Sequence, residues 1–399
     1  MKTHTHGIYK NLDGDTIFNS QAATLVFLCG IAFKLSAAPK MLSEEFGSSA
    51  FWVFLAYSLV DAGLCLVVLL FAKRNGDALL LSTNNPLYRA ICLVISIFLT
   101  AKGVFHFCYC TSYLTHELFE GLEPSLIYLL FLLPIVYLGA KGIRSISRSA
   151  EVFFPIVFLV LALNLVFLKT KTDFARVLPI LSKEPSEILV GFPRYGIWLC
   201  DWLPFAFVRI KNKKLPYITV GVAGTFALLN LIMLLGVAIY GDALRTVTDL
   251  LIRIAGFNQL SKDIGRTEWG NLLLVITTSI MSLAFSYFGA ITACKRAVKT
   301  SVPAKIVYPL SILLAIMLVP SSQTVTDFAV QKCGYALFAL AVCLPLLLHI
   351  TLAVEKRRYP SVQKLLDEEY YISTGQASNN EETDLLDGFK QGPQRQTYR

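Results

Sequence analysis

Charged side chains inside apolar segments are the first candidates for chemistry in this sequence. They are Lys34, Asp61, Lys102, Arg194 and Asp201. Because a charge at the centre of a bilayer costs about 2.5–3.5 kcal/mol on insertion scales, each should face protein or water and have a partner. The long stem of Lys34 offers an alternative, since it lies late in its segment and would let the ammonium reach the interface. Asp61 lies mid-segment, so it is either paired, functional or a neutral buried acid. We expect Lys34, Asp61 and Asp201 to couple to an ion or proton.

Two of the apolar segments contain small residues and prolines that weaken a helix. The first holds the run 30–39 and the second holds Gly191–Gly196 followed by Pro204. Glycine and proline leave peptide groups without helical partners, and at membrane depth such backbone is tolerated where it lines a cavity. The pattern predicts two interrupted helices with a ligand site between them, although ordinary proline kinks are the alternative. The candidate ligand-binding residues in these runs are Gly30, Ile31, Ala32, Phe33, Lys34, Tyr195, Gly196 and Cys200.

Two further polar side chains are candidates for closing that site. His106 is a titratable group among aromatic residues, and Tyr287 offers a hydroxyl in a later apolar segment. Each has a simpler interpretation, since a histidine of this kind is often a satisfied core residue and a tyrosine is often a packed aromatic. We include both as candidate ligand contacts.

Motifs of catalysis and metal binding are missing from the sequence. It contains no GxxxxGK[ST] phosphate loop, no HExxH and no GxSxG. Cys108 and Cys110 have no second pair at metal-ligand spacing. We therefore expect a protein that is not an enzyme and has no metal and no cofactor.

The elements that must position these residues are transmembrane helices. Of the 399 residues, 55% are hydrophobic and 16% are charged, and the mean hydropathy is +0.59. Too few polar side chains are present to cover a soluble globule, so most of the surface should contact lipid. The predicted spans are 17–38, 51–72, 88–109, 123–140, 150–168, 188–208, 216–240, 268–293, 303–320 and 334–354. They form a membrane domain over 17–354, between an N-terminal segment 1–16 and a polar, largely disordered tail 355–399.

The distribution of basic residues predicts the orientation of the spans. The net charge is +9, and Lys and Arg are concentrated in the connections that share a side with both termini. Such clusters orient a membrane protein, so we expect both termini in the cytoplasm and no nucleic-acid partner. The longest outer connections, 169–187 and 241–267, should form short interfacial helices. Ten spans divide into two halves of five with inverted topology, which makes the interrupted first and sixth spans equivalent.

The sequence also resembles the spore germination permeases, the B subunits of GerA-type germinant receptors, within the amino acid/polyamine/organocation superfamily. The similarity runs from about Gln21 to Arg358 and is carried by GAKGIRSISRSAEVFFPIVFLVLALNLVFL, DFARVLPILSKEPSEILVG, CDWLPFAFVRIKNKKLPY and GRTEWGNLLLVI. The segment 148–155 looks like the R-x-A-E-x-F-F-P motif of that family. The resemblance implies an all-α, ten-helix LeuT-like bundle with a 5+5 inverted repeat and discontinuous helices 1 and 6. It further implies a location in the endospore inner membrane and partner A and C subunits.

The chain departs from the family pattern at several positions. Ala32 and Lys34 stand where glycines are common, and Cys200-Asp201 replaces a Gly-Glu pair. Phe107 stands where some relatives have an acid, and we add it to the candidate ligand contacts. A lysine ammonium in the pocket would either take the place of a sodium ion or attract a ligand carboxylate.

The leading hypothesis is a subunit that senses a small nutrient, an amino acid, and triggers germination. The alternative is a secondary symporter that carries an amino acid with protons or sodium. A third possibility, a structural scaffold for a receptor complex, predicts no ligand binding.

Overall fold

The computed structural model describes residues 16–75, 85–115, 123–166, 172–178, 183–211, 215–247, 250–255, 268–318, 328 and 330–358. The predicted N-terminal segment, apart from Thr16, and the tail beyond Arg358 lie outside these ranges. The structure over the described residues is almost entirely helical. Its first five α-helices are α1 (Asn19–Phe46), α2 (Ala50–Asn75), α3 (Pro86–Tyr113), α4 (Pro124–Lys141) and α5 (Ile143–Val166).

The second part of the chain begins with a broken segment. It comprises α6 (Pro185–Gly191) and two 3-10 helices, Phe192–Trp198 and Leu203–Phe207. The later helices are α7 (Leu215–Tyr240), α8 (Leu250–Ala255), α9 (Glu268–Val298), α10 (Val302–Leu318) and α11 (Gly334–Arg358). In the connections 169–187 and 241–267, the 3-10 helices Phe174–Val177 and Gly241–Thr246, together with α8, confirm the prediction of short helices.

A short parallel strand pair joins the start of α1 to the end of the broken segment. Strand β1 (Thr16–Phe18) pairs with β2 (Arg209–Lys211), with Ile17 opposite Ile210. Strand β1 ends at Phe18 because α1 begins directly after it. The pair therefore places the beginning of the first helix beside the end of the sixth predicted span.

The apolar helices have the dimensions of membrane spans. By length and composition, six ranges of the described chain are suited to cross a bilayer: Asn19–Ala72, Pro86–Thr111, Ile143–Val166, Ile218–Thr246, Gly270–Val298 and Gly334–Thr351. Ser125–Lys141 and Val302–Met317 are shorter apolar helices. Large apolar side chains such as Ile97, Leu130 and Met317 are exposed on the outside, as expected for contact with lipid.

The predicted interruption of the first span is wrong. Helix α1 continues without a break through Gly30–Lys34 and past Pro39, and it ends at Phe46 rather than near residue 38. Its small residues serve close packing instead. A Cβ on Gly30 would lie 2.6 Å from the Trp202 ring and 2.9 Å from Thr225. The backbone of α1 therefore remains hydrogen-bonded, and the charge of Lys34 is compensated by side chains.

Candidate functional site

The break in the sixth predicted span is confirmed, and it is the main irregularity inside the helical bundle. After the 3-10 helix Phe192–Trp198, Leu199 is extended and Cys200 has a φ of 64°, in the left-handed region. A non-glycine residue rarely adopts this conformation, so the surrounding contacts must hold it. The Cys200 N–H donates a hydrogen bond to Asp61 Oδ1 at 2.7 Å, and the Leu199 carbonyl accepts one from Lys102. Charged side chains from α2 and α3 thus satisfy peptide groups that the break frees.

Four buried charges meet at this break and form what we call the ionic quartet, Lys34, Asp61, Lys102 and Asp201. Lys34 Nζ lies 2.6 Å from Asp61 Oδ2 and 2.7 Å from Asp201 Oδ2. Lys102 Nζ lies 2.6 Å from Asp201 Oδ1. The quartet is electrically neutral, which is how a low-dielectric interior can hold four ionised groups. The expectation that each intramembrane charge has a partner is confirmed for all four.

Aromatic rings surround the α1 end of the quartet. The Lys34 ammonium lies 4.9 Å from the centroid of the Trp202 ring and 5.9 Å from that of Phe226. Trp202 Nε1 also donates to Asp61 Oδ2 at 3.1 Å. These rings favour a cation electrostatically while excluding water. Lys34 therefore points into the protein and does not reach toward the interface.

The other end of the quartet opens into a small polar cavity between α3, the break and α9. Its volume is about 10 Å³, which is about enough for one water molecule and far too small for an amino acid. The lining residues are Leu99, Lys102, Gly103, His106, Asp201, Ser282, Leu283 and Ser286. Any larger ligand must move these walls apart.

The structure brings only part of the sequence-predicted ligand set to this cavity. His106 lines it and is buried, and Cys200 lies at the break behind it. Gly30, Ile31 and Ala32 are buried within the intact helix α1, and the Phe33 side chain lies outside the described part of the chain. Gly30, Ile31 and Ala32 thus contribute packing, whereas Lys34 contributes a charge.

Three other predicted contacts face elsewhere. Phe107 packs against Phe131 of α4, with ring centroids 5.6 Å apart. The Tyr287 hydroxyl donates to the Lys305 carbonyl at 3.1 Å, and its ring lies against Gly139. Gly196 lies against α11, where an added Cβ would overlap the backbone of Phe338. These positions are explained by helix packing.

Tyr195 belongs to a second polar cluster, the Glu45 cluster, formed by Glu45, Arg194 and Tyr195. Arg194 Nη1 lies 3.0 Å from Glu45 Oε1, and the Tyr195 hydroxyl donates to Glu45 Oε2. The Tyr195 ring stacks on Trp198 at 4.8 Å. This cluster joins the end of α1 to the 3-10 helix before the break, and it gives Arg194 the partner that the sequence required.

Sequence reasoning identified Lys102 only as an intramembrane charge, not as a ligand or coupling residue, and it missed Ser282 and Ser286 altogether. Lys102 carried a usable signal, since it is an intramembrane charge like Lys34. The two serines carried none, because a hydroxyl is ordinary in a membrane helix and only the rotation of α9 directs it to the cavity. Within the described ranges, no group of three metal-ligating side chains comes together.

The apolar helices and the charged helix break define an integral membrane protein of the helical permease class. A family model described as "Spore germination protein" matches residues 16–326. The chain belongs to this family of spore germination permeases, which confirms the resemblance seen in the sequence and the expectation of a protein that is not an enzyme.

Solved structures include chains of similar shape. The crystal structure of MhsT in complex with L-phenylalanine aligns with a TM-score of 0.47 and 16% identity, over 86% of this chain and 98% of that one. No curated protein sequence matches the chain.

Proposed function

We propose that this protein is the nutrient-sensing membrane subunit of a spore germinant receptor and that it binds a small zwitterion, an amino acid, at the Lys102–Asp201 end of the ionic quartet. The observation that supports this most is the cavity beside the break, which presents an ammonium and a carboxylate together. The ligand's ammonium would bind Asp201 while its carboxylate binds Lys102. Because the ligand brings one charge of each sign, it replaces an ion pair without leaving a buried charge uncompensated.

The size of the cavity favours a sensor that changes shape. A space of about 10 Å³ admits an amino acid only if the break moves away from α3 or α9. The broken segment has few helical hydrogen bonds of its own to lose, so it is the natural element to move. Ligand binding would thereby favour an open arrangement, and that difference in affinity would provide the signal.

The wider setting of this proposal comes from the family. The ten spans would form a LeuT-like 5+5 bundle in the endospore inner membrane, with both termini in the cytoplasm. The receptor A and C subunits would read the conformational change.

The first test is a thermal-shift screen of the purified full-length chain against the common amino acids. A ligand at 100 times its dissociation constant should raise the stability of the folded state by about 2.7 kcal/mol. Ser282→Val fills the cavity without changing any charge, so it should abolish the shift. Ser311→Val is the matched control, because the Ser311 hydroxyl bonds the Tyr308 carbonyl within α10 and does not line the cavity. Equal shifts in both variants would refute the site.

A symporter is the second candidate, and the carboxylates at the helix break favour it. Asp61 and Asp201 are held by ammonium groups that a coupling proton or cation would have to displace. Gradient-driven accumulation of an amino acid by the reconstituted chain would establish transport, whereas binding without uptake supports the sensor. If no amino acid bound to the protein or was transported by it, the remaining function would be a structural scaffold for a receptor complex.

A further inference from the structure

A second cavity lies at the end of the bundle where β1 leads into α1. Its volume is about 150 Å³, far larger than the cavity beside the quartet. It lies between β1 and the first turns of α5, and its lining residues are Thr16, Ile17, Phe18, Gln21, Arg144, Ser147 and Arg148. This cavity has no part in the proposed nutrient site.

The charged residues among the described lining of this cavity are two arginines. Arg144 and Arg148 stand one helical turn apart on α5, so their guanidinium groups flank the same space. Arg144 Nη2 donates to Thr16 Oγ1 at 3.1 Å. Among the described residues, no ion pair within 4.0 Å engages either arginine. The described part of the lining therefore offers guanidinium donors and no carboxylate.

A carboxylate of α5 helps to hold the wall of the cavity in place. Glu151, one turn beyond Arg148, accepts a hydrogen bond from Gln21 Nε2 at 3.1 Å. Gln21 Oε1 in turn accepts one from the Phe18 N–H at 3.0 Å. This chain of hydrogen bonds fixes β1 against α5 with the cavity open, so an incoming anion need not order the site.

We propose that this cavity binds a phosphate group through Arg144 and Arg148, as inorganic phosphate or as the headgroup of an anionic phospholipid. Guanidinium groups match phosphate oxygens in paired hydrogen bonds and stay charged at every physiological pH. The distribution of basic residues places this end of the bundle on the cytoplasmic side, where anionic headgroups attract basic residues at the membrane surface. The phosphate bridges β1 and α5.

A phosphate that bridges β1 and α5 would also restrain other parts of the bundle. Strand β1 pairs with β2, which follows the broken segment. A phosphate bound between β1 and α5 therefore holds the start of α1, the start of α5 and the end of the break in one arrangement. Occupancy should slow hydrogen exchange of the β1 amides.

The test compares Arg148→Gln with Lys141→Gln in the full-length protein. Arg148 is the better position, because no hydrogen bond to another described residue is lost with it, whereas Arg144 supports Thr16. Lys141 carries the same charge at the end of α4 and does not line the cavity. Inorganic phosphate is titrated against thermal unfolding in detergent, at constant ionic strength set with chloride. A second arm compares hydrogen exchange of residues 16–18 in phosphatidylcholine nanodiscs with and without phosphatidylglycerol.

The expected result is a saturable rise in unfolding temperature for wild type and Lys141→Gln, with at least about a tenfold weaker phosphate affinity in Arg148→Gln. Protection by phosphatidylglycerol alone, lost in Arg148→Gln and kept in Lys141→Gln, would assign the phosphate to a lipid headgroup. The proposal is overturned if neither arm responds, or if the two variants respond alike.

Discussion

The ionic quartet makes a quantitative prediction about Asp61 and Lys34. Asp61 accepts hydrogen bonds from Lys34 at 2.6 Å, the Cys200 N–H at 2.7 Å and Trp202 Nε1 at 3.1 Å. Either Asp61→Asn or Lys34→Met leaves the buried quartet with one uncompensated charge, which costs about 3–5 kcal/mol of folding free energy. The double variant restores neutrality, because Lys102 and Asp201 still pair. We expect the double variant to lose less folding free energy than the two single variants lose in sum, by about 2 kcal/mol or more.

Equilibrium unfolding of the four proteins in detergent measures this coupling as a double-mutant cycle. The matched control is Glu45→Gln with Arg194→Gln, an ion pair whose side chains are 24% and 41% exposed. Because solvent screens such a pair, its coupling should stay below about 1 kcal/mol. If the effects of Asp61→Asn and Lys34→Met add within about 0.5 kcal/mol, the two residues are not energetically coupled and the account of the quartet fails.

Two further substitutions separate packing residues from ligand contacts. Gly196→Ala should strongly lower the thermal unfolding temperature, because the added Cβ would overlap the Phe338 backbone. The control Gly224→Ala should leave that temperature nearly unchanged, because Gly224 has open space around it. Similar melting curves for the two variants would contradict the contact with α11. Tyr287→Phe should cost about 1 kcal/mol by losing the bond to the Lys305 carbonyl, and it should leave any amino-acid thermal shift intact. If Tyr287→Phe abolished the rise in unfolding temperature caused by an amino acid, Tyr287 would have to be a ligand contact after all.

The charges were the best predictor of the site. An ionised group inside an apolar helix needs a partner wherever the helix is placed, so the sequence predicted a partner for Lys34 and for Asp61 but did not predict that they pair with each other. The broken segment was also predictable, because Gly191, Pro193 and Pro204 disfavour a continuous helix in the sixth predicted span.

The same reasoning failed in the first span because small residues have two physical uses. A glycine frees the backbone, but it also lets another side chain approach, and Gly30 serves the second purpose by contacting Trp202. Pro39 lies inside α1 without ending it. Local sequence cannot separate these outcomes, because the difference lies in α7 and in the broken segment more than 150 residues away.

The sequence also did not show how α9 is rotated about its own axis, and this rotation decides which of its side chains face the cavity. Ser282 and Ser286 line the cavity while Tyr287, the next residue, packs toward α10. Adjacent helical positions point about 100° apart, so identifying a polar segment does not identify the residue that faces the ligand. In helices that are apolar on every side, the amphipathic pattern that would orient them is weak.

The neutrality of the quartet has a consequence for the electrical behaviour of the protein. A displacement of all four groups together carries no net charge across the bilayer, because two ammonium groups move with two carboxylates. A transmembrane voltage therefore does no net work on that movement. Removing any one of the four would couple the same displacement to voltage, by up to about 2.3 kcal/mol per 100 mV for a full crossing. A joint displacement of the quartet is thus equally favourable in an energised and in a de-energised membrane.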